Sequence, residues 1–183
     1  MTTALVFLPV AVLVAVAMEL WADLLHGRIW HGILWVVHRT HHRTRLDGRT
    51  SRWETNDVLS VLHAPIAILL ILYGCRGPAG VLREALFGVG LGMTTFGVSY
   101  LVVHDGLVHG RLPVAGLGRF AYLRQVVAAH RFHHTKNGAP YGLFLGPFHP
   151  SYRAHVLAAA EADGRARQRA SVDGDHDRSI VGE

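Results

Sequence analysis

The sequence has a single cysteine, Cys75, among its 183 residues. One thiol excludes a disulfide framework within the chain, a cysteine-ligated zinc site and an iron–sulfur cluster. Any metal bound by this chain must therefore be held by nitrogen and oxygen ligands.

Charged residues are also scarce, at 17% of the chain, whereas half of the residues are hydrophobic. Such a composition is too apolar for an ordinary soluble domain, and it favours a membrane protein of about one domain. The net charge of +5 could indicate nucleic acid binding. The basic residues flank apolar runs without a groove-reading motif, so we predict that they set membrane orientation and that nucleic acid is not a partner.

Three apolar segments are long enough to cross a bilayer, at about 4–25, 58–74 and 84–103. The prediction is an all-α integral membrane protein in which residues 1–160 form one membrane domain with three transmembrane helices. A fourth span remains open if the helix after Arg119 embeds more deeply.

The basic residues are distributed unevenly around these spans. Arginines crowd 39–52 and basic residues are frequent in 111–178, whereas the turn between the second and third spans has only Arg76 and Arg83. Because cytoplasmic loops carry an excess of Lys and Arg, we predict that the site faces the cytoplasm, in the cytoplasmic membrane of a bacterium. The polar segment 161–183 is predicted to be a disordered tail.

Histidine is the residue type that the chain concentrates. An HxxxxHG segment and an HxxHH segment occur in that order twice, and together they contain ten of the fourteen histidines. Imidazole is the commonest metal ligand, and ten imidazoles exceed the about four to six that one ion takes, so two metal ions are predicted. Iron, copper, zinc and nickel all suit imidazole. The predicted ligands are His26, His31, His38, His41, His42, His104, His109, His130, His133 and His134.

The two kinds of segment differ in how well they fit an α-helix. Within each HxxHH segment the histidines are three and four residues apart, which places them on one helix face. The five-residue spacing of His26 and His31 leaves that pair about 140° apart on an ideal helix. Here the helix must bend, or the pair must bracket the site. Gly27 and Gly106 would allow local distortion.

Acidic residues near the helix ends could orient the imidazoles. Asp57 and Asp105 are candidates for hydrogen bonds behind the metal ligands. Glu19 and Asp23 could either mark the water boundary or belong to the site. Glu54-Thr-Asn-Asp57 is predicted to cap the following helix. The other four histidines are predicted to be interface anchors: His63, His149, His155 and His176.

Four sequence blocks carry a resemblance to a known family. They are Glu54-Thr-Asn-Asp57, Tyr100-Leu-Val-Val-His104-Asp-Gly-Leu-Val-His109, Ala129-His-Arg-Phe-His-His-Thr135 and Gly138-Ala-Pro-Tyr-Gly-Leu-Phe-Leu-Gly-Pro147. They resemble blocks of the membrane di-iron hydroxylases and desaturases of the fatty acid hydroxylase superfamily, and within it those of the non-haem β-carotene hydroxylases. HxxHH is shared with fatty acid and sterol enzymes, whereas HDGLVH and PYGLFLGP are more specific. The loop 42–54 is longer and richer in arginine than is usual in the family.

The resemblance implies that the ten clustered histidines bind two non-haem iron ions. It implies O2-dependent hydroxylation at carbon 3 of β-ionone rings, from β-carotene through β-cryptoxanthin to zeaxanthin, with the carotenoid taken from the bilayer. Electrons would come from an external ferredoxin-type donor, because the chain has no haem, flavin or nicotinamide motif. Aromatic candidates for the substrate pocket are Trp30, Trp35, Phe96, Tyr100, Phe132, Tyr141 and Phe144. Other readings are a related lipid hydroxylase or desaturase, a carotenoid ketolase, or a membrane protein that binds or transports metal.

Overall fold

The computed structural model describes residues 3–43, 53–78 and 80–180. Most of the arginine-rich loop, 44–52, lies outside the described residues. Within the described ranges all regular structure is helical, which confirms the all-α prediction. The elements are α1 (Thr3–Leu24), a first π-helix (Leu25–Ile33), α2 (Trp35–His42), α3 (Asp57–Val61), α4 (Ala64–Cys75), α5 (Val81–Tyr100), a second π-helix (Leu101–Val108), a 3-10 turn (Ala115–Arg119), α6 (Ala121–Lys136), a second 3-10 turn (Gly146–Phe148) and α7 (Pro150–Ile180).

Three helical stretches are long and apolar enough to cross a membrane, as predicted: Val6–Ile33, Asp57–Cys75 and Val81–Val108. The first and third extend beyond the predicted spans because each α-helix continues directly into a π-helix. Among the described residues no further helix meets these criteria.

Small residues bring the first and third spans close together. A Cβ atom at Gly88 would lie 2.6 Å from the carbonyl oxygen of Phe7, and one at Gly92 would lie 2.5 Å from that of Ala11. From the first contact to the second, the residue numbers increase on both helices, so α1 and α5 run parallel. The GxxxG spacing therefore serves helix packing, as expected for a membrane interface.

The second span packs against the third in the opposite direction. A Cβ atom at Gly74 would meet the Phe87 side chain at 2.5 Å, and one at Gly90 would meet the carbonyl oxygen of Ala67 at 2.8 Å. From the first contact to the second, the residue number decreases on α4 and increases on α5, so these helices are antiparallel. The carboxyl ends of the first and third spans thus meet on one side of the bundle, and they carry the histidine segments.

The segment predicted as a disordered tail, 161–183, overlaps the end of α7, which continues to Ile180. Every side chain from Arg153 to Arg165 is exposed. Disorder of this segment stays a prediction.

Truncation after Glu161 is expected to leave membrane insertion and the Tm unchanged, because the removed segment offers no buried side chain among those described up to Arg165. Circular dichroism of the detergent-solubilised protein measures both helix content and Tm. A clear fall in Tm would show that the tail stabilises the membrane domain.

Candidate metal centre

The two π-helices explain the five-residue histidine spacing. The backbone N–H of His109 donates to the carbonyl of His104 at 3.0 Å, which is the five-residue hydrogen bond of a π-helix. The wider turn brings both members of a pair to one side. Ring centroids are 5.1 Å apart for His26 and His31, and 4.7 Å apart for His104 and His109. The angle of an ideal α-helix therefore does not apply to these pairs.

The HxxHH segments lie on α2 and α6, as their spacing predicts. α6 ends at Asn137, whose φ of 54° is left-handed and reverses the chain. The reversal points the Gly138 carbonyl back at the helix, where it accepts a hydrogen bond of 2.7 Å from Nδ1 of His133.

The structure gathers the ten predicted ligands at one end of the bundle, and nine of them form two sets. In each set the candidate ligand atoms lie within 4.8 Å of one another. The five-histidine set is His26, His31, His38, His42 and His133. The four-histidine set is His41, His104, His109 and His130.

His134 lies between the two sets. Its Nε2 is 3.0 Å from Nε2 of His130 in the four-histidine set. Its ring stacks on His42 of the five-histidine set, with centroids 4.4 Å apart. The two sets are therefore in contact, and together they form one candidate metal centre.

Hydrogen bonds behind the five-histidine set fix which ring nitrogen carries the proton. Nδ1 of His26 donates to the Tyr141 carbonyl at 2.8 Å, and Nδ1 of His38 donates to Oδ1 of Asn56 at 2.7 Å. In neutral rings both Nε2 atoms are then unprotonated, and they face each other at 2.9 Å. Two lone pairs at this distance repel unless a cation lies between them, so the set fits a metal ion.

In the four-histidine set, carboxylates lie behind two of the candidate ligands. Oε2 of Glu54 lies 3.4 Å from Nδ1 of His41, and Oδ1 of Asp105 lies 3.4 Å from Nδ1 of His104. An ionised carboxylate only accepts, so each one favours the proton on the neighbouring Nδ1. The two Nε2 atoms are 3.2 Å apart. Asp105 therefore lies beside His104, and its orienting role stays a prediction.

Burial keeps three of the clustered histidines that lie outside the spans neutral. It lowers the pKa of His38 to about 4 and, with neighbouring histidines, those of His42 and His133 to about 3. These values lie below the ordinary pKa of 6.5, so the rings are unprotonated at neutral pH and can bind metal. Below about pH 6.5 the unfolded chain takes up protons that the folded chain refuses, so acid destabilises this end of the protein.

Glu19 and Asp23 act as acceptors for the loop that follows α6. Oε1 of Glu19 accepts the Leu145 N–H at 2.8 Å, and Oδ1 of Asp23 accepts the Gly142 N–H at 2.7 Å. The loop also contains Tyr141, whose carbonyl orients His26. Both acids therefore belong to the scaffold of the site rather than only to a water boundary.

Replacing Asp23 with alanine is expected to weaken metal retention by about 10-fold, because it removes a charge-assisted hydrogen bond of about 1.5–3 kcal/mol next to Tyr141. Metal content after dialysis against a chelator measures the effect. Glu161→Ala is the matched control, since among the residues that the structure describes that carboxylate pairs only with Arg165, on the exposed surface of α7. Equal retention by both variants would contradict this role.

An apolar cavity of about 360 Å³ lies between the three spans and is lined by side chains that contact the histidine sets. Trp30 lines it, with its ring 5.5 Å from that of His26, and so does Asp105, which contacts His104. His63, predicted as an interface anchor, also lines it and accepts a hydrogen bond of 2.9 Å from Trp21. These two side chains give the apolar wall one polar pair.

Three of the seven predicted pocket aromatics line this cavity: Trp30, Phe96 and Tyr100. The other four pack elsewhere. Trp35 and Tyr141 contact the histidine rings directly, Phe144 packs on Phe96, and Phe132 stacks on His155. These four side chains do not line this cavity, and their role in a substrate pocket stays a prediction.

Residues 11–149 match the family model described as fatty acid hydroxylase. The chain is 48% identical over 135 residues to beta-carotene 3-hydroxylase 1, chloroplastic, of Arabidopsis thaliana, covering 73% of this chain and 42% of the relative. It is 40% identical over 123 residues to the beta-carotene hydroxylase of Pantoea ananas, covering 67% and 65%. The chain thus spans under half the length of the plant relative. No solved structure matches the chain.

Proposed function

This chain belongs to the fatty acid hydroxylase family, and from that premise we propose that it is a β-carotene 3-hydroxylase of the membrane. The observation that carries the proposal is the cavity between the spans, whose lining residues Trp30 and Asp105 contact histidines of the two converging sets. The relatives named above are hydroxylases of β-carotene. The proposed products are β-cryptoxanthin and zeaxanthin.

The ten clustered histidines would hold two non-haem iron ions. When bound, the iron supplies O2 activation strong enough to place one oxygen atom on an unactivated C–H bond. The chain's own residues prepare the ligands. Tyr141, Asn56 and Gly138 orient the five-histidine set, and Glu54 and Asp105 orient the four-histidine set. Burial keeps water from competing for these nitrogens.

The cavity fits one ring of an apolar substrate. Its volume of about 360 Å³ lies within the about 300–1,000 Å³ of small-molecule sites. A carotenoid is longer than this space, so one β-ionone ring would enter while the polyene stays among lipid chains. Exposed rim residues such as Trp21 and Val98, at 44% and 55% exposure, give the cavity a lateral opening between the spans.

The site would face the cytoplasm of a bacterium and receive electrons there from a ferredoxin-type donor. Support comes from the end of the bundle that carries the histidines, which also carries Arg39, Arg43 and Arg111. An external donor is needed because the reaction consumes two electrons for each O2 and the sequence has no haem, flavin or nicotinamide motif.

Expression in a bacterium that accumulates β-carotene tests this function. Chromatography of the pigments is expected to show β-cryptoxanthin and zeaxanthin with the wild-type chain and unchanged β-carotene with His41→Ala. A keto product would instead identify a ketolase. Unchanged pigment with membrane-inserted, iron-containing wild-type protein would contradict the proposal.

A further inference from the structure

Arg111 follows the second π-helix closely and joins three carboxylates. Its Nη2 lies 2.7 Å from Oε1 of Glu54, and its Nη1 lies 2.9 Å from Oδ1 of Asp57 and 3.2 Å from Oδ1 of Asp105. The Arg111 side chain is only 14% exposed. Asp57 and Asp105 are the two acids predicted from sequence to lie behind the metal ligands, whereas the cation that joins them was not predicted.

Two of these carboxylates also contact metal-ligand candidates. Glu54 places its other oxygen 3.4 Å from Nδ1 of His41, and Oδ1 of Asp105 lies 3.4 Å from Nδ1 of His104. Asp57 acts one step further back, because its Oδ2 accepts the backbone N–H of Glu54 at 2.9 Å. One guanidinium therefore fixes both acceptors behind the four-histidine set.

The described partners of the five-histidine set are different groups. They are the carbonyls of Tyr141 and Gly138 and the side-chain oxygen of Asn56. No recorded hydrogen bond or ion pair joins Arg111 to any of these three. The influence of Arg111 is thus directed at one of the two sets.

Electrostatics explains why an arginine is needed. Three carboxylates gathered in a partly buried space repel one another unless a cation lies among them. The planar fork of arginine reaches all three at once from two nitrogens, whereas the ammonium of lysine is a point charge that cannot match this geometry.

We propose that Arg111 is a positioning residue that sets the imidazole orientation of the four-histidine set through Glu54, Asp57 and Asp105. The inference rests on the proposed di-metal function and adds that Arg111 supports only one of the two metal sites. Loss of Arg111 would weaken one metal site about 10–100-fold, the range found when an outer partner of a metal ligand is removed. The other site would keep its affinity.

The test counts iron per chain by mass spectrometry in purified, full-length protein after dialysis against a chelator. Wild type is expected to retain about two irons and Arg111→Met about one. Arg124→Met is the matched control, because within the described part of the chain Arg124 donates to the backbone carbonyls of Gly118 and Arg119 and to no carboxylate. It is expected to retain two.

Double variants show which set loses its metal. Adding His109→Ala to Arg111→Met is expected to cause no further loss, because both changes act on the four-histidine set. Adding His31→Ala to Arg111→Met is expected to remove the remaining iron. The reverse pattern would overturn the proposal, as would two retained irons or none in a folded Arg111→Met protein.

Arg111→Lys covers the case in which Arg111→Met does not fold, as judged by circular dichroism. It keeps the charge and is expected to bind one of its two irons about 10–100-fold more weakly in a chelator titration. Two sites as tight as in wild type would overturn the proposal. Wild type that binds no iron would instead refute the proposed di-metal function, and this inference would fall with it.

Discussion

Replacing His133 with alanine is expected to abolish hydroxylation of β-carotene. The side chain is fully buried, its Nδ1 donates to the Gly138 carbonyl, and its Nε2 belongs to the five-histidine set. Removing a ligand should cost more than the about 10–100-fold that loss of an outer partner costs, so product should fall below detection. Pigment chromatography from a β-carotene-accumulating host measures it, and iron content should fall in parallel. His41→Ala should do the same through the other set.

His155→Ala is the matched control for the loss of an imidazole. His155 is exposed on α7, stacks on Phe132 and lies outside both histidine sets. It is expected to leave product and iron content at the wild-type level. Normal zeaxanthin formation by His133→Ala would refute the assignment of His133 as a metal ligand.

Gly97→Phe is expected to block substrate entry while leaving the metal centre intact. Gly97 lines the cavity, and a Cβ atom added there has no heavy atom within 4 Å. The backbone of α5 therefore has no reason to move, and we expect the aromatic ring to occupy part of the space proposed for the β-ionone ring. Iron content should match wild type while product becomes undetectable, and Gly97→Ala should retain most of the activity.

Ser99→Phe places the same bulk two residues further along α5. Ser99 is exposed and is not among the residues that line the cavity. Its product yield should equal that of wild type. If Gly97→Phe were equally active, the carotenoid would have to reach the site by another route.

The spans and the histidines that the fold gathers were both predictable from sequence, for different reasons. Apolar length alone determines whether a helix can cross a bilayer, and the repeat of HxxxxHG and HxxHH identified all ten histidines that the fold gathers. The five-residue spacing did not predict that each histidine pair lies on one side, because an ideal α-helix places residues five apart at about 140° from each other. A π-helix satisfies it, and Gly27 and Gly106 lie inside the two π-helices.

The groups that orient the ligands were largely not predictable. Glu54-Thr-Asn-Asp57 was predicted to cap a helix, but no side-chain cap is formed at α3, and Asn56 is instead directed at His38. The carbonyl groups of Gly138 and Tyr141 belong to the backbone, so the residue type does not reveal that they orient a histidine. Arg111 looked like one more basic residue at the interface, because its three partners come from segments up to 57 residues away, as the contact with Glu54 shows.

We propose that this chain places an oxygen atom from O2 on a carotenoid ring. The most direct test is turnover of β-carotene by the purified, iron-loaded protein under 18O2, with a chemical or ferredoxin-type reductant, followed by mass spectrometry of the pigments. The expected products are β-cryptoxanthin and zeaxanthin that carry 18O in each new hydroxyl group. Hydroxyl oxygen that comes from water, or no product from iron-loaded protein, would contradict it.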